Sequence, residues 1–165
     1  MRKFLPVFLI LATLLCWPLS THARDMQFPE KTLPAFSFVL PDNWSQEPDT
    51  SGNLIMFNPA RTTGIVIIVA ESADPLDKIA TEAFGVAKAD AYKNKKPAEI
   101  SGCKGYTYFS TITNDKGIKM SLETTIVRVS DKHIAAASLL VVTSATKDDE
   151  TAARLVHNGL KIVTE

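Results

Sequence analysis

Ile65-Val-Ile-Ile-Val69 is the longest unbroken β-branched run in the chain, and it predicts a strand buried on both faces. A polar loop, Glu71-Ser-Ala-Asp74, follows. Asp74 then stands where an N-cap belongs, with Pro75 at the first helical position and Asp77 in the first turn. Leu76, Ile79, Ala80, Ala83, Phe84, Ala87 and Ala91 recur at helical spacing, so a helix is predicted over residues 75–94, ending ahead of Pro97. Gly85 weakens it by about 1 kcal/mol relative to alanine. The apolar stripe of this helix needs a surface to lie on, and the strands supply one.

The segments before this unit alternate with a period of two. Residues 24–33 are polar, lack periodicity and read as an extended N-terminal leader. Phe36, Phe38 and Leu40 share one face of a strand over residues 35–40, and Pro41-Asp-Asn-Trp44 is turn chemistry. A short strand from Trp44, a turn at residues 49–52 and a strand over residues 53–58 complete an antiparallel meander. After the helix come a short approach at residues 98–101 and a strand over residues 104–113. A tight turn at Asn114-Asp-Lys-Gly117 joins it to the next strand. In that strand Ile118, Met120, Leu122, Thr124 and Ile126 mark one face while Val127 and Val129 fall on the other, which predicts a bulge near Thr124-Thr125. Residues 134–142 form a last buried strand, and Ala135-Ala-Ala137 leaves room for a helix to approach. The acidic Asp148-Asp-Glu150, preceded by Thr146 or Lys147, opens a C-terminal helix that Gly159 can end. The expected fold class is α+β: one antiparallel sheet of about six to seven strands, packed with one long central helix and a C-terminal helix.

Composition narrows the class. Arg2 and Lys3, an apolar stretch over residues 4–19 and the small-residue site Thr21-His-Ala23 make residues 1–23 a signal peptide, with cleavage between Ala23 and Arg24. Its two prolines and short length argue against a membrane span surviving in the processed protein. Cys16 follows Leu15 rather than a small residue, so lipoprotein anchoring there is not expected. Residues 34–165 then form a single domain, periplasmic or secreted. The chain carries 18 basic and 18 acidic residues, and losing Arg2 and Lys3 leaves a net charge of −2. That is no footprint for nucleic acid or an anionic membrane surface. Cys103 stays without an intramolecular partner, and the Gly102-Cys-Lys-Gly105 context reads as a turn around a tolerated small residue.

No chemistry-bearing motif stands out. His133 and His157 lack Cys or carboxylate neighbours at ligand spacing, so no metal site is expected. Glu71, Asp74 and Asp77 cluster at the strand-helix junction, but not at calcium-loop spacing, and capping accounts for Asp74. Lys93, Lys95 and Lys96 complement the C-terminal end of the predicted helix. No nucleophile elbow or phosphate loop occurs, and neither catalytic residues nor a cofactor are expected. Tyr106, Tyr108 and Phe109 read as half-buried strand residues. Trp44 has two readings: a lid folded over the end of the core, or a partly exposed interaction anchor.

The ordered set FSFVLPDNW, NLIMFNP, GIVIIV, DPLDKIA, EISGCKGYTY and GLKIV resembles the DcrB-like family of bacterial envelope proteins. More distantly it is similar to the PsbP-type α/β fold of the photosystem II extrinsic subunit. The resemblance spans about residues 33–163 and rests most on Phe36, Phe38, Pro41 and Trp44. Related sequences often carry Gly where Asn43 stands, and both residues accept left-handed φ. DcrB-like proteins are commonly lipoproteins, and Cys16 departs from that pattern. The resemblance implies a non-enzymatic binding or accessory protein whose partner is an envelope protein. The alternative is a carrier of a small apolar ligand between sheet and helix. A broad exposed apolar patch favours the first, a closed cavity the second, and convergent polar groups with displaced pKa values an enzyme. Protein purified from its native host is expected to begin at or near Arg24 without an acyl chain, and intact-mass measurement checks this.

Overall fold

The computed structural model describes residues 23–49 and 51–164. The segment expected to be a signal peptide, including Cys16, lies outside them, and the expected cleavage point Ala23-Arg24 falls at their edge. Ten strands and two helices follow in order: β1 (Ala23–Phe28), β2 (Ala35–Pro41), β3 (Ser45–Pro48), β4 (Leu54–Phe57), β5 (Thr63–Glu71), α1 (Leu76–Val86), β6 (Asn94–Ile100), β7 (Cys103–Thr113), β8 (Lys119–Arg128), β9 (His133–Val142), α2 (Lys147–Asn158) and β10 (Lys161–Val163).

The α+β class holds, but the strands divide into two sheets rather than one. A seven-stranded antiparallel sheet has the order β3-β4-β5-β9-β8-β7-β6, and a separate three-stranded sheet has the order β1-β2-β10. The segment read as a leader supplies β1, which pairs with β2 from Ala23↔Pro41 to Phe28↔Phe36. The tail after Gly159 supplies β10 on the other side of β2. Phe36, Phe38 and Leu40 of β2 point into the core as their alternation requires. The core they enter belongs to the face of the large sheet that carries Ile65, Ile67, Ala137 and Leu139.

Helix α2 covers the same face. Thr146, not Lys147, caps it through a reciprocal box with Asp149. Arg154 anchors its far turn by donating from Nη1 and Nη2 to the Glu123 carboxylate of β8, at 3.1 and 2.6 Å. Ala153 and Val156 then sit against the small residues of β9.

Helix α1 packs on the opposite face with Ala80 and Phe84 buried against Tyr108, Leu122, Ile126 and Ala136. It ends at Val86, well short of residue 94. Lys88 takes a left-handed φ of 53°, and the amides of Lys88 and Ala89 donate back to the carbonyls of Gly85 and Phe84. That is the Schellman stop, built on lysine instead of the usual glycine. Residues 89–93 then run along β7, tied by Asp90 N–H to Thr111 O and Lys93 N–H to Phe109 O. The three lysines expected at a helix end therefore lie at or beside the edge strand β6.

The expected bulge in β8 is absent. Its pairing with β7 and β9 runs without interruption from Lys119 to Arg128. Both faces of β8 are apolar because α1 lies over Leu122 and Ile126, while Val127 belongs to the core on the other side. Gly105 fixes how closely β7 approaches β8: a Cβ there would overlap the Ile126 carbonyl oxygen and lie 2.7 Å from Val127 Cα. Cys103 is the first residue of β7 rather than a turn residue, because Ser101 and Gly102, with φ of 50° and 84°, make the two-residue turn.

Ile67 is fully buried and Phe84 is 3% exposed. Phe84→Ala is expected to destabilise the protein by about 3–5 kcal/mol, measured by denaturant unfolding.

Candidate functional site

The apolar face of the large sheet under α1 is only partly covered. α1 has 11 residues and spans about 16 Å, so it shields β7, β8 and the Ala136 end of β9 but leaves β4, β5 and the Leu140 end of β9 open beside it. The result is a trough of about 450 Å³ between the helix and the sheet. Val66 and Ile68 of β5, Leu140 of β9, and Ile79, Ala83 and Val86 of α1 are among its walls. Val86, at the rim, is 87% exposed. Thr124 and Ser138 place two hydroxyls in the floor, 2.9 Å apart and hydrogen-bonded to each other. Glu82 is the one charged side chain in this wall.

Val66 and Leu140 also line an adjoining, smaller hollow of about 210 Å³, with Ile55, Phe57, Met120 and Val142 in its wall. Arg61 stands at that end, its guanidinium 4.9 Å above the Phe57 ring centre. It donates to Glu47 of β3 at 2.5 Å, and both side chains are more than half exposed. A residue with positive φ holds this position: Arg61 has φ 53° in the turn between β4 and β5. Asn58 locks that turn, accepting from the amides of Thr62 and Thr63 and donating to Asp149 at the start of α2.

A second hollow, about 550 Å³, lies on the opposite face between β6 and the end of α2. Several of the polar groups around it have partners. Glu123 holds Arg154, Thr107 bonds Thr125 at 2.8 Å, and the Lys96 ammonium lies over the Phe109 ring.

Of the acidic residues at the strand-helix junction, Asp77 serves the docking of α1. Pro75, not Asp74, occupies the N-cap, and no side chain caps the first turn. The Asp74 carboxylate instead pairs with Lys78, while its carbonyl and that of Ser72 accept from the Arg128 guanidinium. Asp77 accepts from Lys95 Nζ at 2.6 and 2.7 Å and from the Tyr108 hydroxyl at 2.8 Å. Lys95 and then Tyr108 hold its carboxyl below the usual carboxylate range. Burial first, and the Asp77 carboxylate second, push the Tyr108 hydroxyl well above its ordinary value. Trp44 is 5% exposed and belongs to the same buried cluster as Leu40 and Met56. His133 lies beside Glu71 at 3.9 Å and His157 lies on α2. Among the described residues no group of three or more His, Cys, Asp or Glu is placed to hold a metal ion. Burial raises the Cys103 thiol. No site candidate named from the sequence lies in the trough. Its clearest sequence signal is the uninterrupted β5 run, whose second face, Val66 and Ile68, is only half-buried.

No protein-family model matches the chain, and no curated protein matches it. Solved structures do. LpqN of Mycobacterium tuberculosis, described as involved in cell envelope biogenesis, aligns with a TM-score of 0.55 at 15% identity, over 87% of this chain and 92% of LpqN. The cyanobacterial PsbP protein CyanoP of Synechocystis sp. PCC 6803 aligns with a TM-score of 0.56 at 11% identity, over 78% of this chain and 86% of CyanoP. A Bacteroides thetaiotaomicron protein aligns with a TM-score of 0.52 at 16% identity, over 79% of this chain and 46% of that one. The fold is thus PsbP-like, and it is shared with a protein described as involved in cell envelope biogenesis. Among the described residues no helix is long and apolar enough to cross a membrane.

The Asp77 carboxyl titrates below its unfolded value of about 3.9. The stability it contributes is therefore full above that value and is lost as pH falls through the lowered one. Tyr108→Phe removes one donor and is expected to move the Asp77 midpoint upward, followed by carboxyl-carbon NMR titration.

Proposed function

We propose that this chain is a non-enzymatic, DcrB-like binding protein of the bacterial envelope, exported by its N-terminal segment, and that it holds an apolar ligand in the trough beside α1. The observation that carries this reading is the half-covered sheet face, where Val66, Ile68, Ile79 and Leu140 line an open hollow of about 450 Å³. That volume falls within the range of small-molecule sites, and the mostly apolar wall with one hydroxyl pair matches their usual make-up. The carboxylates with displaced pKa values, Asp49, Asp77 and Asp149, are all committed to turns, caps or helix docking. The PsbP-like fold and the envelope role stated for LpqN support the compartment. The trough is open along one side, which favours exchange of ligand over permanent retention.

Fluorescence titration with the uncharged probe N-phenylnaphthylamine tests the reading. The probe is expected to bind with a blue-shifted, enhanced emission. Val66→Glu places an unpaired carboxylate in the floor and is expected to weaken binding at least about tenfold, since burying that charge costs several kcal/mol. Its thermal melt should stay close to wild type, because Val66 is only half-buried. No enhancement with the wild-type protein, or an unchanged titration with Val66→Glu, overturns the reading.

A further inference from the structure

We infer that the ligand is a single-chain anionic amphiphile, bound with its head group at Arg61 and its tail running along β5 toward α1. The inference rests on the trough reading above and adds a head-group class and a direction. Three observations lead to it.

The first is length. The two hollows share Val66 and Leu140 as wall residues and adjoin as a channel along β5, their linings running from Gly64 to Ala70. Six strand steps of about 3.3 Å give roughly 20 Å. One lipid tail occupies about 15 Å, half the hydrocarbon thickness of a bilayer, so the stretch along β5 is long enough for one tail and leaves roughly 5 Å for a head group.

The second is charge. The channel is polar at its two ends in opposite senses. Arg61 is the one charged side chain in the wall of the smaller hollow, and Glu82 is the one in the wall of the larger. Lys78, the cation nearest Glu82, is shared between Asp74 at 3.0 Å and Glu82 at 3.9 Å. An anionic head is therefore attracted to the Arg61 end and repelled from the α1 end.

The third is availability. Arg61 is oriented by stacking on Phe57, so its planar fork stays in place at the mouth. Its present partner, Glu47, is on the outermost strand, and the pair is exposed at 61% and 53%. An exposed pair of this kind is weak and yields to a better-placed carboxylate or phosphate, which the guanidinium takes in a two-pronged hydrogen bond. Glu47 competes with the ligand head for Arg61.

Binding of myristate, myristyl phosphate and the neutral myristyl alcohol to the full chain, below their micelle concentrations, tests this by displacement of N-phenylnaphthylamine. The two anions are expected to bind more tightly than the alcohol. Arg61→Gln should weaken the anions about tenfold and leave the alcohol unchanged, and Arg61→Lys should restore part of the loss. Glu47→Gln frees Arg61 and should strengthen anion binding, an effect that a merely structural role for Arg61 does not give. A free-fatty-acid source predicts preference for the carboxylate, and a lipid-phosphate source preference for the phosphate. Equal affinity for all three ligands, unaltered by Arg61→Gln, overturns the head-group assignment while the trough stands. Failure of all three to displace a probe that does bind overturns the acyl-chain assignment. Failure of the probe itself removes the trough reading and this inference together.

Discussion

The width of the large sheet governs the rest of the molecule. Seven strands at about 4.8 Å spacing span roughly 29 Å, and a helix with its side chains is only about 10 Å across. Two helices of 11 and 12 residues cannot cover both faces. The chain solves one face by folding its two ends back over it. β1 and β2 come from the start of the described chain, β10 from its finish, and together with α2 they close the core around Ile65, Ile67 and Leu139. The other face receives α1 alone. The trough is what remains of an area that the sequence makes apolar and the fold leaves half open.

Much of this was legible because it depends on short-range patterns. The β-branched run of β5, the alternation in β2, the Asn114–Gly117 turn and the Thr146 cap all state their local structure directly. Errors arose where a tertiary partner decides. Residues 89–93 keep helix-compatible alanines, and only Lys88 in a left-handed conformation turns them onto β7. Nothing in lysine announces that choice, since glycine is the usual signal. Residues 24–28 have no period of their own and become β1 only because β2 offers a free edge. Val127 and Val129 looked like a register shift because a strand with two buried faces has no polar side by which to read its phase.

The candidate site was less legible than the fold, for a physical reason. A trough is defined by what fails to cover it, and the sequence records only what is present. Val66 and Ile68 belong to the same five-residue run as Ile65 and Ile67, yet the even-numbered pair lines the trough and the odd-numbered pair lies in the closed core. The residues that attracted chemical suspicion were the charged ones at the strand-helix junction. Of these, Asp77 holds α1 in place through Lys95 and Tyr108, while Asp74 pairs with Lys78 within the helix and Glu71 lies beside His133. Arg61 drew no attention because an arginine in a turn is ordinary. Its meaning comes from the Phe57 ring beneath it and from its place at the mouth of the channel.

The docking of α1 and the state of the trough are one problem. Phe84 and Ala80 fasten the helix to β7 and β8, Asp77 ties its first turn to Tyr108 and Lys95, and Arg128 holds the loop that leads into it. All of these attachments lie on the sheet side or at the N-terminal end. The opposite wall, Ala83, Val86 and Ala87, faces the hollow with nothing packed on it. Any tail that enters makes contact with this wall and with β5 together, so it joins the helix to the half of the sheet that α1 does not reach. Such a ligand binds the folded chain and not the unfolded one. By mass action it therefore stabilises the protein, by an amount that grows with the logarithm of its concentration.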